Sequence, residues 1–474
     1  MPVRDIILGK PLAPSEEAKE QLTVVTGVPV LGLDALASTA YGPEAALAML
    51  LPLGLAGLWW YPIITLAVVV KLVSLYFSYQ QIASAYPNGG GAYVVAKDNL
   101  GSRTALWAAV ALLLDYLLNV AVAITAGVGA IVSAVPALRP HVLVLSLLVL
   151  LTLTYLNLRG VRESGLAFVL PVAVFVALIG AAIAVGLAAA LGSGGHPQAI
   201  VPPPSLPSQT AGVSAWLLLT AFANGSTALT GVEAVSNGVP LFREPKIPRA
   251  HRTLKVIAVI LGVFLLALGY LCPVYHIAAM DETKPGYQTI LSQLLAAVAG
   301  RGLVYYAGTA SIFVVLTYSA ETSFADFPRV CSLLADDRCL PQFFSIRGRR
   351  LGYSYGIITL AIFSALLLIA FRGLTNKLIP LFGIAAFGVF FFSQAGMAAR
   401  LLRGRETGIR ASLANNALGA ATTAFILVIL IIANFQKGAW TVVIVPALVL
   451  LLGRIKRHYA AAERELERRR RRVA

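Results

Sequence analysis

A chain of 474 residues with 58% hydrophobic and only 12% charged side chains lies outside the range of soluble domains, which carry about 25% charged residues. Its mean hydropathy is +0.81. Recurring apolar runs of roughly 20 residues, each long enough for about 30 Å of hydrocarbon, predict a polytopic membrane protein. The formal net charge of +16 does not point to nucleic acid, because the arginines lack interleaved aromatic side chains and are segregated by loop.

In chain order, residues 1–23 are polar and predict a cytoplasmic N-terminal segment without a cleaved leader. About twelve spans follow, near 24–50, 58–79, 103–133, 142–158, 164–191, 214–240, 254–277, 302–327, 353–371, 378–400, 413–433 and 439–453. The expected fold is therefore an all-α integral membrane domain over 24–453. The first span is interrupted by Gly32, Asp34, Ser38, Thr39, Tyr41, Gly42, Pro43 and Glu44. The sixth is interrupted by Asn224, Gly225, Ser226, Thr227, Thr230, Gly231 and Glu233. A matched pair of broken helices in two halves of a membrane protein points to a transporter's binding site. The halves, 24–191 and 214–400, are expected to form a LeuT/APC-type 5+5 inverted repeat, joined outside the cell by Gly192–Pro207 and followed by two helices at 413–453. Turn formers and basic groups mark the cytoplasmic loops at Tyr86–Tyr93, Asn157–Gly165, Glu244–Ala250 and Arg329–Pro341. The basic tail, 454–474, is read as a helical topology anchor near anionic headgroups, too short to bury a core of its own.

Charge orients this map. Of 37 Lys and Arg, 30 fall in tails and loops on the N-terminal side; six (Arg139, Lys284, Arg301, Arg372, Lys377, Lys437) fall on the other, and Lys71 lies inside a span. The positive-inside rule then places both termini in the cytoplasm of a multi-pass protein of the cell (plasma or inner) membrane. Cys272, Cys331 and Cys339 fit no zinc spacing and read as inert packing. No metalloprotease, nucleophile-elbow or phosphate-loop motif occurs, so an enzyme is not expected and no cofactor is implied.

Six acids lie within spans: Asp34, Glu44, Asp115, Glu233, Glu321 and Asp326. A charged side chain there costs about 2.5–3.5 kcal/mol even on lenient scales, so such residues line cavities and bind something. Asp115 and Asn119 share a helix face, as do Thr230 and Glu233. An anion at Asp34 would repel a substrate carboxylate and attract a cation. Glu44 is placed near the outer vestibule, and Glu321 and Asp326 are expected to cap or pair at the end of span eight. Lys71 is expected to snorkel or to neutralise a carboxylate.

The order and position of these loops resemble the APC superfamily of amino-acid, polyamine and cation transporters over nearly the whole chain. The segments Asp34–Glu44 and Ser226–Pro240 more closely resemble the KimA-type potassium importers, grouped with the KUP potassium-uptake family. That resemblance implies potassium import by proton symport. It implies ion and proton handling by Asp34, Tyr41, Asp115, Thr230 and Glu233, with Asn119 where the family would have a threonine. Span ten carries Phe382, Phe387 and Phe390 to Phe392 without the family's tyrosines, and the family's soluble C-terminal domain is not expected after 453. The resulting ion-binding set is Asp34, Tyr41, Asp115, Asn119, Thr227, Thr230 and Glu233. Asp34, Asp115 and Thr230 are the potassium ligands, and Glu233, then Asp115, the proton-coupling acids. Potassium and protons are the expected transported species. The lipid bilayer and a small cation or other small-molecule substrate are the expected partners, with no nucleic acid and a homodimer as one open option. An amino-acid or amine permease and a non-transporting sensor on the same fold are the alternatives.

Overall fold

The computed structural model of the protein describes residues 21–159, 165–347, 353–404 and 410–473. The N-terminal segment up to residue 20 and the loop punctuation at 160–164 lie outside the described residues. Within them the protein is helical, with one isolated bridge between Leu22 and Phe242 in place of any sheet.

Helix α1 (Val24–Leu31) starts at a capping box in which Thr23 and Thr26 satisfy each other's backbone N–H groups. It stops at Gly32, where a Cβ would stand 2.5 Å from the Ile257 side chain. A short α2 (Leu33–Ala37), one 3₁₀ turn and α3 (Gly42–Leu50) continue the chain, and the axis bends by 57° at the break. Next come α4 (Leu55–Ala85), α5 (Gly91–Leu100), α6 (Ser102–Ala134), α7 (Val142–Leu158) and α8 (Gly165–Gly192). Helix α9 (Ala215–Gly225) is capped by Ser214 and gives way to a 3₁₀ turn, an extended Thr230 and a left-handed Gly231 at φ +81° before the four-residue α10 (Ala234–Asn237). The remaining helices are α11 (Lys246–Val274), α12 (Ile290–Ala299), α13 (Leu303–Asp336), α14 (Ser354–Ala370), α15 (Thr375–Arg403), α16 (Arg410–Ala433) and α17 (Ile444–Val473).

Among the described residues eight helices are long and apolar enough to cross a membrane, or nine if the bent pair at Gly32 is one span. The segments expected to span at 214–240, 353–371 and 439–453 are not among these eight or nine. The first is broken, as expected from Asn224 to Glu233; α14 has 17 residues, and α17 runs without interruption from an apolar start into the basic tail. Two helices stand where loops were expected. Helix α5 rises from a turn of three glycines with positive φ, and α12 is capped by Thr289 and buried along most of its length.

Burial sorts the helices. In α6 and α15, 83% of the apolar stretch is buried, against 17% in α7, so α6 and α15 are the inner helices and α7 faces outward. The two breaks pack directly on one another. A Cβ at Gly42 would stand 2.3 Å from that of Ala228, and Ser38 Oγ donates to Ala228 O at 2.5 Å. Small residues permit this close backbone approach, the usual means of binding helices where lipid offers no hydrophobic drive. Below the first break, the chain after the second is stitched to Leu22 by Leu22 N–H to Leu241 O (2.8 Å) and Arg243 N–H to Leu22 O (3.0 Å).

Candidate functional site

The close packing of the breaks puts their polar residues together. Gly231 has no side chain, and a Cβ there would lie 2.7 Å from both Cβ and Oδ2 of Asp34. Asp34 is thereby held against the second break, and its Oδ1 accepts a hydrogen bond from Ser319 Oγ of α13 at 2.8 Å. Glu233 lies on the same stretch as Gly231 and within Coulombic reach of Asp34. Asp115 of α6 lies within Coulombic reach of both. The sequence places the first and last of these carboxylates almost 200 positions apart, and the fold brings all three to one buried region.

Around them the hydroxyls form a directed chain. Tyr41 OH and Thr230 Oγ1 are 2.8 Å apart. Thr230 gives its own proton to Thr227 O at 3.0 Å, so the phenol is the donor of the pair. Thr227 Oγ1 donates to Asn224 O at 2.6 Å, which commits its proton to the helix and leaves its oxygen lone pairs available. Asn119 Nδ2 donates to Ser323 Oγ at 3.0 Å. Phe382 of α15 closes one side, edge-on to Tyr41 with ring centroids 6.1 Å apart.

Three acceptor atoms of this region have no hydrogen-bond partner among the described residues: Asp115 Oδ1, Asn119 Oδ1 and Glu233 Oε2. Nor does any Lys or Arg pair with Asp34, Asp115 or Glu233 among those residues. Buried acceptors without donors are costly, so such a set is suited to receive protons or a cation. The carboxylates lie within Coulombic reach of one another without closing into a three-acid metal cluster among the described residues. Ligands for a cation would have to include hydroxyl, amide or carbonyl oxygens.

Ser319 and Ser323 were not anticipated from sequence. Their spacing of four on α13 is a readable signal, since it places both on one face, but nothing local says that this face meets Asp34 and Asn119. Tyr79 of α4 is a further unanticipated neighbour, its phenol within Coulombic reach of Glu233 and Asp115. Glu44 lies apart from the three acids. It accepts from Tyr287 OH at 2.9 Å beside a cavity of about 10 Å³, room for one water, which Tyr41 also lines. Glu321 accepts from Asn157 Nδ2 at 2.7 Å, and Asp326 pairs with Arg329 at 3.5 Å. Lys71 departs from expectation: among the described residues it neither snorkels nor meets a carboxylate, and its ammonium contacts only neutral oxygens.

Two comparisons place this architecture. The potassium transporter KimA of Bacillus subtilis (strain 168) is 38% identical over 465 residues, which cover 98% of this chain and 75% of that protein. A family model described as amino acid permease matches residues 24–452. A multi-pass helical protein with paired helix breaks and this match over nearly its full length belongs to the amino acid permease family of the APC superfamily, a family of transporters rather than enzymes.

Proposed function

We propose that the protein is a proton-coupled importer of a small monovalent cation, with potassium as its substrate. One observation carries this reading: three buried carboxylates on the two helix breaks and α6, with unpartnered oxygens and no Lys or Arg paired to them among the described residues. Negative charge buried in this way needs compensation, and both a proton and a desolvated potassium ion supply it. Symport follows when both are carried together, the proton on one carboxylate and the ion at the other two. The name of the KimA relative supports potassium as the cation. The finer architecture belongs to the same proposal: twelve spans, a 5+5 inverted repeat that brings the breaks to the midplane, and both termini in the cytoplasm of the cell membrane.

In this reading Asp34 and Asp115, with the hydroxyl oxygens of Thr230, Tyr41 and Thr227 and the amide oxygen of Asn119, replace the hydration shell of the ion. Ser319 orients Asp34. Glu233 carries the proton. An amine substrate is the second reading, favoured by the family to which the chain belongs; a zwitterionic amino acid would bring a carboxylate towards three others. Rubidium uptake into proteoliposomes tests the proposal. It should be driven by an inward proton gradient without sodium, and Asp34→Asn should reduce it at least tenfold. Uptake of a neutral amino acid or amine with no rubidium flux would replace the proposal with the permease reading.

A further inference from the structure

Lys71 sits midway along α4 and is 5% exposed. A lysine inside a span ordinarily reaches the interface or answers a carboxylate. This one does neither. Its Nζ donates to Gly419 O at 2.9 Å, Thr422 Oγ1 at 2.9 Å and Thr423 Oγ1 at 2.7 Å, and Gln394 Oε1 stands at 3.5 Å. Among the described residues no charged group of a neighbouring helix lies within Coulombic reach of it. A main-chain carbonyl, two hydroxyls and an amide oxygen, all neutral, are the donor set with which proteins replace the hydration shell of a monovalent cation.

The cage is built rather than incidental. Gln394 and Thr423 are fully buried. Gln394 Nε2 donates to Ser78 Oγ at 3.0 Å, Ser78 Oγ donates to Asn416 Oδ1 at 2.9 Å, and Asn416 Nδ2 donates to Gln81 Oε1 at 2.6 Å. That chain uses the amide nitrogen, while the amide oxygen accepts from Thr423 Oγ1 at 2.7 Å and stands 3.5 Å from the ammonium. Gly419 is required by the same geometry, since a Cβ there would stand 2.2 Å from Gln394 Nε2.

We propose that this cage, formed by α4, α15 and α16, is a second monovalent-cation site, separate from the three carboxylates and occupied by the chain's own ammonium. Its free ligands, once the side chain is removed, are ammonium, small alkylammonium and potassium ions. The tethered cation fastens α15 to α4 and α16. Helix α15 also carries Phe382 against Tyr41, and Gly383, where a Cβ would lie 2.7 Å from Thr227. Lys71 is therefore a positioning residue for one wall of the carboxylate site.

The test is the thermal unfolding of the purified full chain in the Asp34→Asn background, which sets aside cation binding at the carboxylates. Methylammonium, ammonium or potassium chloride should leave Asp34→Asn unmoved relative to choline chloride at equal ionic strength. The same salts should raise the melting temperature of Asp34→Asn/Lys71→Ala by several degrees, and adding Thr423→Val should abolish that rise. A double variant without a cation-specific shift, or a shift that survives Thr423→Val, would overturn the proposal. Cation stabilisation that persists in Asp34→Asn but ignores Thr423→Val would count against the carboxylate reading instead. If the alanine variant does not fold, Lys71→Gln decides. A cage built for charge is destabilised by several degrees when filled by an uncharged donor, and a Gln variant as stable as the unsubstituted chain would overturn the idea.

Discussion

Glu233 and Asp34 differ in what surrounds them, and the difference supports the roles proposed for them. Asp34 is pinned by Ser319 and by the absence of a side chain at Gly231. Glu233 keeps one oxygen without a partner and sits where the helix is unwound, so it can take and release a proton without breaking a hydrogen bond. Glu233→Gln, which imitates the protonated acid, should abolish pH-gradient-driven rubidium accumulation while counterflow survives. Comparing the two assays in proteoliposomes checks this, and full accumulation in the variant would move the coupling role to Asp115. A second residue-scale expectation concerns Glu282, in the segment between α11 and α12 and outside the spans. Burial pushes its carboxyl up to about 7 from 4.5, against the hydrogen bond it accepts from Asn376 N–H. Below pH 4.5 the folded and unfolded states both hold the proton. As pH rises towards 7 the unfolded state loses it first, so stability falls across that window and levels off above it. The melting temperature of Glu282→Gln should lose this downward slope, and an unchanged slope would assign it to another group.

At the scale of elements, both interruptions come from the same physical cause. A glycine or proline removes a side chain or a backbone donor from the helix, and the freed groups are met by local turns and, at Ala228 O, by Ser38 of the opposite break. Gly231 is the sharpest instance, with a left-handed backbone at φ +81° and no room for a Cβ beside Asp34. Gly231→Ala combines roughly 1–2 kcal/mol of backbone strain with that clash. It should lower the melting temperature and reduce uptake several-fold with Asp34 and Glu233 still present, read by a thermal melt and a rubidium flux on one preparation. Wild-type flux would show that the breaks are not in register as described.

For the whole molecule, the distribution of charge remains the guide to orientation. The tail helix is tied back to the turn after α13 by an ion pair of Arg338 with Glu463, and that turn is itself held by Lys97 and Tyr93 on Asp337. Burial works against the charge of Asp337, but these two donors hold its carboxyl below the usual range. Under the proposed topology this cluster is cytoplasmic and Lys284 is outside. A cysteine at Lys284→Cys should react with an impermeant maleimide in intact cells, and one at Lys246→Cys only after permeabilisation; the three native thiols are buried and should stay silent. The opposite pattern would invert the orientation.

Composition and period were sufficient for the membrane class, for most of the long helices and for the two interruptions, because each depends on residues close together in the chain. They also identified the buried acids, since a carboxylate in an apolar run is conspicuous whatever it touches. They did not show α5 and α12 as helices, because short segments between spans look like loops until their apolar faces find a surface to bury against. Nor did they supply the partners of the charges. Ser319 reaches Asp34 across 285 positions, and Lys71 reaches Thr423 across 352. No periodicity links residues so far apart. Only the packing of α4, α15 and α16 decided that the lysine would meet neutral oxygens, and only that of the two breaks with α6 and α13 gathered the three acids in one buried region.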